Sequence, residues 1–296
     1  MTLLERAISS PRFQERCFFL AKRFVAGESI ESAIDAVRRL NADGLTATLD
    51  FLGEDVADDA EARASAQQTL RVIEAVNHAN VDANVSVKLT ALGLSISEAL
   101  ARDQLAEIVQ HASRNHDPFV RVDMEGSGVV DATLRVAESV YAGHENVGVV
   151  LQAYLHRTER DLDAAIARKQ RVRLVKGAYK EPPDVAIQDM AEIRRNYVQL
   201  AQQLLRDGIY PAIATHDLAL IDAVARMAHE LGVEKDRFEF QLLYGIRPET
   251  QRRLAANGYR VRVYVPFGSH WSGYFYRRLA ERKENVFFVL QSLFSR

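Results

Sequence analysis

Between Leu45 and Pro266 the chain repeats one unit eight times: a short run rich in Val, Ile and Leu, then a longer stretch whose apolar residues recur at helical spacing. The runs are Leu45 to Phe51, Asn84 to Thr90, Phe119 to Glu125, Val147 to Tyr154, Arg171 to Tyr179, Tyr210 to His216, Phe238 to Tyr244 and Arg260 to Pro266. Strict strand-helix alternation requires parallel strands joined by right-handed crossovers. Eight such units in about 250 residues match an α/β chain closed into a (β/α)8 barrel of the TIM type. A doubly wound open sheet shows the same alternation, but two features count against it. No G-x-G-x-x-G opens a helix, since Gly126-Ser127-Gly128 follows a strand without the third glycine. The strands also end alike. The expected organisation is an N-terminal helical segment over residues 1–43, the barrel over 44–296, and a final helix from Ser272 to about Leu290 packed over the barrel mouth.

Alternation within each run separates two faces. Leu49, Val87, Leu89, Val122, Leu151, Leu174, Leu242, Val263 and Val265 fall on the parity that meets the surrounding helices. The opposite parity, near each strand's C-terminal end, carries Asp50, Lys88, Asp123, Gln152, Arg173, Thr215 or His216, Gln241 and Tyr264. In a barrel this parity points inward, so these side chains converge at the mouth where barrel enzymes do their chemistry. One polar residue at one strand end marks nearby water. Eight of them, placed inside the alternation, mark a site. In the last helix Tyr274, Arg277, Arg278 and Glu281 share one face, spaced i, i+3, i+4 and i+7. Such a stripe is either a solvated, internally paired face or, against a packed helix bearing Trp271 and Phe275, a bidentate clamp for a carboxylate.

Several chemistries are disfavoured. Lys+Arg 38 against Asp+Glu 40 leaves a net charge of −2, which supplies no overall field for nucleic acid. Cys17 is the only cysteine, so neither an internal disulfide nor a thiolate cluster can form, which agrees with a reducing, cytoplasmic setting. No run approaches the roughly 18 apolar residues of a spanning helix. His216 has no spaced partner for metal ligation, so no metal is expected. No G-x-S-x-G elbow provides an acyl-transfer nucleophile. Lys88 and Lys176 remain open as Schiff-base lysines of a barrel lyase, or as anion holders.

Eight segments, V-S-V-K-L-T (Val85 to Thr90), V-D-M-E (Val122 to Glu125), L-Q-A-Y (Leu151 to Tyr154), R-L-V-K-G-A-Y (Arg173 to Tyr179), A-T-H-D (Ala214 to Asp217), F-Q-L-L-Y-G (Phe240 to Gly245), V-Y-V-P-F-G (Val263 to Gly268) and Y-F-Y-R-R-L-A-E (Tyr274 to Glu281), resemble in type and order the blocks of the proline dehydrogenase family. The resemblance spans residues 44 to 290. It implies an FAD-dependent barrel that oxidises L-proline to Δ1-pyrroline-5-carboxylate and passes electrons to a membrane quinone. It assigns the substrate carboxylate to Arg277 and Arg278, with Lys88, Tyr264 and Tyr274 shaping the same pocket. Asp123 falls near the substrate amine and orients Lys88 or Arg278, and Arg173 falls at the flavin N5 edge. Gln152 falls on the pyrimidine edge, with Met124, Lys176, Gly177, Ala178, Thr215, His216 and Gln241 along the rest of the FAD, while Glu281 braces the helix. Lys180-Glu181-Pro182-Pro183 and Asp217 depart from the family pattern. Nothing resembles the aldehyde dehydrogenase or DNA-binding modules of bifunctional relatives. A separate pyrroline-5-carboxylate dehydrogenase is therefore the expected downstream partner, and the expected location is the cytoplasm, extending to the inner face of the membrane where a quinone is met.

Overall fold

The computed structural model of the chain describes residues 21–53 and 56–280; the side chains of Arg277, Leu279 and Ala280 lie outside that set, as do Cys17 and Glu281. Eight parallel strands close into a barrel in sequence order, with the last hydrogen-bonded to the first. They are β1 (Thr46–Phe51), β2 (Ala83–Val87), β3 (Val120–Val122), β4 (Val147–Gln152), β5 (Val172–Val175), β6 (Ala212–Ala214), β7 (Glu239–Leu243) and β8 (Arg260–Phe267). The described helices are α1 (Ile30–Ala42), α2 (Asp59–Ala79), α3 (Glu98–Ala112), α4 (Val130–Tyr141), α5 (Thr158–Ala167), α6 (Met190–Asp207), α7 (Leu218–Glu230), α8 (Pro248–Ala256) and α9 (Trp271–Ala280).

Local sequence sets where the helices begin. Ser29 and Ser32 form a reciprocal capping box at α1. Asp58, Ser97, Asp189 and Asp217 each accept a backbone N–H in the first turn of α2, α3, α6 and α7. Pro248 opens α8, where its missing N–H costs nothing. Burial then follows parity. Leu49, Val87, Val122, Leu151, Leu174, Leu242, Val263 and Val265 all lie in one core between barrel and helices. Ala33, Ile34, Ala36 and Val37 of α1 belong to that core too, so α1 packs as part of the barrel wall.

The barrel interior is polar. At its N-terminal end Arg262 donates to both oxygens of Glu239 at 3.1 Å and to the Ala47 carbonyl at 2.7 Å, and pairs with Asp117 at 2.9 Å. Burial pushes the Glu239 carboxyl up, but the Arg262 and Arg121 charges and the hydrogen bonds from Gln241 and Arg262 together outweigh it and hold the group below the usual glutamate range. Arg171 sits at this end as well, its guanidinium over the rings of Phe119 at 4.9 Å and Tyr210 at 5.1 Å. It shares parity with Arg173 but lies two residues earlier on the strand, away from the mouth.

The strands are shorter than the apolar runs imply. Lys88 to Thr90, Asp123 to Glu125, Lys176 to Tyr179 and Thr215 to His216 keep the pattern of the runs but lie past the last ladder pair. They begin the loops at the C-terminal rim. Asp123 and Thr215 still donate backbone N–H groups to Val87 and Gln241, at 2.8 and 3.2 Å, and the Lys176 carbonyl still accepts from Tyr154 at 2.9 Å, so the turn toward the centre starts from a fixed strand end.

Candidate active site at the barrel mouth

Asp123, just beyond β3, is the hub of the mouth. One of its oxygens accepts from Ser86 at 2.6 Å and from Arg173 Nη1 at 2.7 Å; the other accepts from the Tyr264 hydroxyl at 2.6 Å. Lys88 reaches that second oxygen at 4.0 Å, while its ammonium is held by both oxygens of Asp50 at 2.9 Å. Five strands thus contribute to one buried network of two carboxylates, an ammonium, a guanidinium and a phenol. Burial pushes the Asp50 carboxyl above the ordinary aspartate range against the pull of Lys88. Burial, reinforced by the charges of Asp123 and Asp50, raises the Tyr264 hydroxyl well above its usual value, so it stays a donor. Sequence parity placed Asp50 in the ring without a role; the structure makes it the principal partner of Lys88. Ser86 carried no signal beyond its parity.

Arg173 spends only Nη1 on Asp123. Its Nε and Nη2 are buried with no hydrogen-bond partner, and its guanidinium lies 5.3 Å from the Tyr264 ring centre. Two unmatched N–H groups on a buried cation are costly unless an acceptor arrives to meet them. Nearby, the Gln152 carboxamide donates to the Glu125 carbonyl at 3.0 Å, which fixes the side chain at the end of β4.

The loop after β5 supplies a cradle. Gly177 adopts φ +119, and a Cβ there would stand 2.2 Å from the ring of buried Tyr154. Lys176 pairs with Asp217 at 3.5 Å, and Arg194 joins the same carboxylate at 2.8 Å. Burial pushes Asp217 up, but these two cations outweigh it and lower its carboxyl below the usual range. Asp217 also caps α7. The residue that departs from the family pattern therefore couples the cradle lysine to a helix start. His216 Nε2 accepts the Leu243 N–H at 2.9 Å, which leaves Nδ1 as the protonated nitrogen of the neutral ring.

The remaining candidates separate. Tyr274 and Arg278 are buried together on α9, with the guanidinium 5.1 Å from the ring centre. Met124 packs with Val130, Val150 and Tyr154 in a side cluster beneath the cradle. Thr215 is buried and accepts from the Asp217 N–H at 3.1 Å. Gln241 donates to Glu239, which ties it to the barrel floor. Ala178 is exposed. The Arg277 side chain and Glu281 lie outside the described residues. Among the described residues no group of His, Cys, Asp and Glu could hold a metal ion.

Buried, converging polar side chains at the C-terminal rim of a closed parallel barrel are the arrangement of a barrel enzyme. The family model described as proline dehydrogenase matches residues 33–291. The chain belongs to the proline dehydrogenase family and is an oxidoreductase. It is 43% identical to proline dehydrogenase 1 of Bacillus subtilis subsp. natto over 273 residues, which cover 92% of this chain and 90% of that one. It is 42% identical to proline dehydrogenase of Deinococcus radiodurans over 298 residues, covering 99% and 96% of the two chains. The structure is also similar to proline utilization A from Bdellovibrio bacteriovorus, with a TM-score of 0.82 at 27% identity over 90% of this chain and 33% of that longer one.

Membership implies a flavin cofactor, and the residues fit one. The unmatched N–H groups of Arg173 ask for the acceptors that a flavin edge presents, and Gly177 lets the loop after β5 pack directly on the Tyr154 ring. Gly177→Ala tests the cradle. A side chain at φ +119 that also meets a buried ring costs about 1–3 kcal/mol, so the variant should retain flavin about tenfold more weakly, read from the ratio of visible to ultraviolet absorbance. Wild-type retention would remove the cradle role.

Proposed function

We propose that this chain oxidises L-proline to Δ1-pyrroline-5-carboxylate with FAD as its cofactor. The observation that carries the reading is Arg173: a buried cation anchored on the Asp123 hub whose other two N–H positions await an acceptor. When bound, the flavin supplies a two-electron acceptor for hydride from the ring carbon beside the amine. The protein's own residues position and exclude. Arg278, with Arg277 as its neighbour in sequence, holds the carboxylate through a planar fork. Tyr264 and Tyr274 wall the pocket, and Lys88 adds a positive charge fixed by Asp50. Asp123 holds Arg173 and Tyr264 in register, so the substrate meets groups that need no rearrangement.

Lys88 held between two carboxylates is the reverse of the apolar setting that activates a Schiff-base lysine, which weighs against the lyase alternative. We assign a membrane quinone as electron acceptor and a separate pyrroline-5-carboxylate dehydrogenase as consumer of the product, both supported by kinship to the family. No described helix is long and apolar enough to cross a membrane, so contact with the quinone would be peripheral. Purified protein should be yellow and should bleach on anaerobic addition of L-proline. A colourless protein that FAD cannot reconstitute, or a flavin that folates reduce and proline does not, would overturn the reading.

A further inference from the structure

The segment Ala21–Glu28 runs along the barrel rim beside the exits of β7, β8 and β1. Its backbone is tied to the exit of β8 on both sides of Phe267: the Ala26 N–H donates to the Pro266 carbonyl at 2.9 Å, and the Gly268 N–H donates to the Gly27 carbonyl at 3.0 Å. It also lies against the turn after β7, where a Cβ on Gly245 would stand 1.6 Å from the Arg23 carbonyl oxygen. No side chain fits there, so this close approach fixes where the segment runs.

Ala26 of the segment joins the main core, while its other apolar side chains meet α9 together with Leu52 and Ile246. Ala21, Phe24, Val25 and Leu52 form one cluster with Trp271, Tyr274 and Phe275, separate from the main core. Phe24 and Phe275 have ring centres 6.3 Å apart, and Trp271 meets Phe275 edge-on at 5.8 Å. The Trp271 indole N–H donates to Glu28 Oε1 at 3.1 Å. On α9, Trp271, Tyr274, Phe275 and Arg278 follow one another at i, i+3, i+4 and i+7, which is a single helical stripe. The residues seated on the segment and those assigned to the substrate thus share a face. Turning α9 to keep one pair in place keeps the other.

We propose that Ala21–Glu28 is a positioning element for the substrate site: the aromatic seat and the Glu28–Trp271 bond hold α9 at the rotation that presents Tyr274 and Arg278 to the substrate carboxylate. The inference rests on the reading of Arg278 as a substrate contact. The bonds and ring contacts above run to the exit of β8 and to α9, so loosening the segment acts on the orientation of α9. Loosening it lowers the fraction of protein with α9 in the competent orientation and raises the apparent KM in proportion.

The test uses the full chain with bound flavin. Glu28→Ala should raise the KM for L-proline about fivefold and Phe24→Ala about tenfold, with kcat and flavin content unchanged. Glu28→Gln, whose carboxamide oxygen still accepts the indole N–H, should return KM to the wild-type value. If KM stays at the wild-type value in both alanine variants while Arg278→Ala raises it, the positioning role is overturned and the substrate reading stands. If kcat and flavin content fall together with a rise in KM, the segment is general scaffold and the proposal is equally overturned. If Arg278→Ala itself leaves KM unchanged, the substrate reading has failed and takes the inference with it.

Discussion

Arg278→Ala is expected to raise the KM for L-proline on the order of 30-fold to several thousand-fold while the purified protein remains yellow. Removing one partner of a buried, charge-assisted contact costs about 2–5 kcal/mol, which corresponds to a loss on the order of 30-fold to several thousand-fold. The loss falls on KM because a carboxylate clamp acts alike on the bound substrate and on its transition state. Arg278 is buried beside Tyr274 on α9, whereas Lys176 and Gly177 belong to the loop after β5, so flavin retention should not change. Arg278→Lys should recover part of the affinity, since the charge returns without the planar fork. Steady-state kinetics with an absorbance scan checks both statements. Loss of flavin in Arg278→Ala would mean that α9 serves the cofactor more than the substrate.

Asp123→Asn should do more general damage. Asp123 accepts from Ser86, Arg173 and Tyr264 at once, and Lys88 is 4.0 Å away. An asparagine offers one acceptor oxygen and sets an N–H₂ against one or more of those donors. It also leaves Lys88 and Arg173 with Asp50 as the only buried carboxylate in the network. Breaking a buried pair from one side costs about 3–5 kcal/mol, enough to lower the thermal midpoint on the order of 10 °C. Arg173 loses its anchor and Tyr264 its partner, so kcat/KM should fall on the order of 1000-fold, with kcat and KM both affected and the visible spectrum shifted. Calorimetry and a spectral titration report the two parts separately. A variant with wild-type stability and a wild-type spectrum would show that Asp123 is not the hub.

These two variants mark how far the chain could be read before its fold was known. The ring was legible because a strand alternates strictly and a barrel has only one interior: once the runs were parallel staves, Asp50, Lys88, Asp123, Gln152, Arg173, Gln241 and Tyr264 had one direction left to face. Arg171 shows the limit of parity. It shares a face with Arg173, yet depth along the strand puts it at the opposite end, stacked on Phe119 and Tyr210. Gln241 shows the same limit more gently, since its bond to Glu239 draws it toward the floor. Strand ends were overrun because the apolar pattern continues into the rim loops after the ladder has stopped.

The sequence by itself determined the architecture and the membership of the site. Period, order and count of the runs leave few closed arrangements, and the motif blocks from Val85 to Glu281 carry the family resemblance. Only the tertiary structure decided who pairs with whom. That Asp50 rather than Asp123 grips Lys88, that Ser86 and Tyr264 complete Asp123, and that Phe24 and Glu28 seat Trp271 and Phe275 all depend on contacts between residues 37 to 251 positions apart. Such pairings follow from register around the closed barrel and from where the chain runs along its rim. Local pattern carries neither quantity, because both are fixed only when the last strand meets the first.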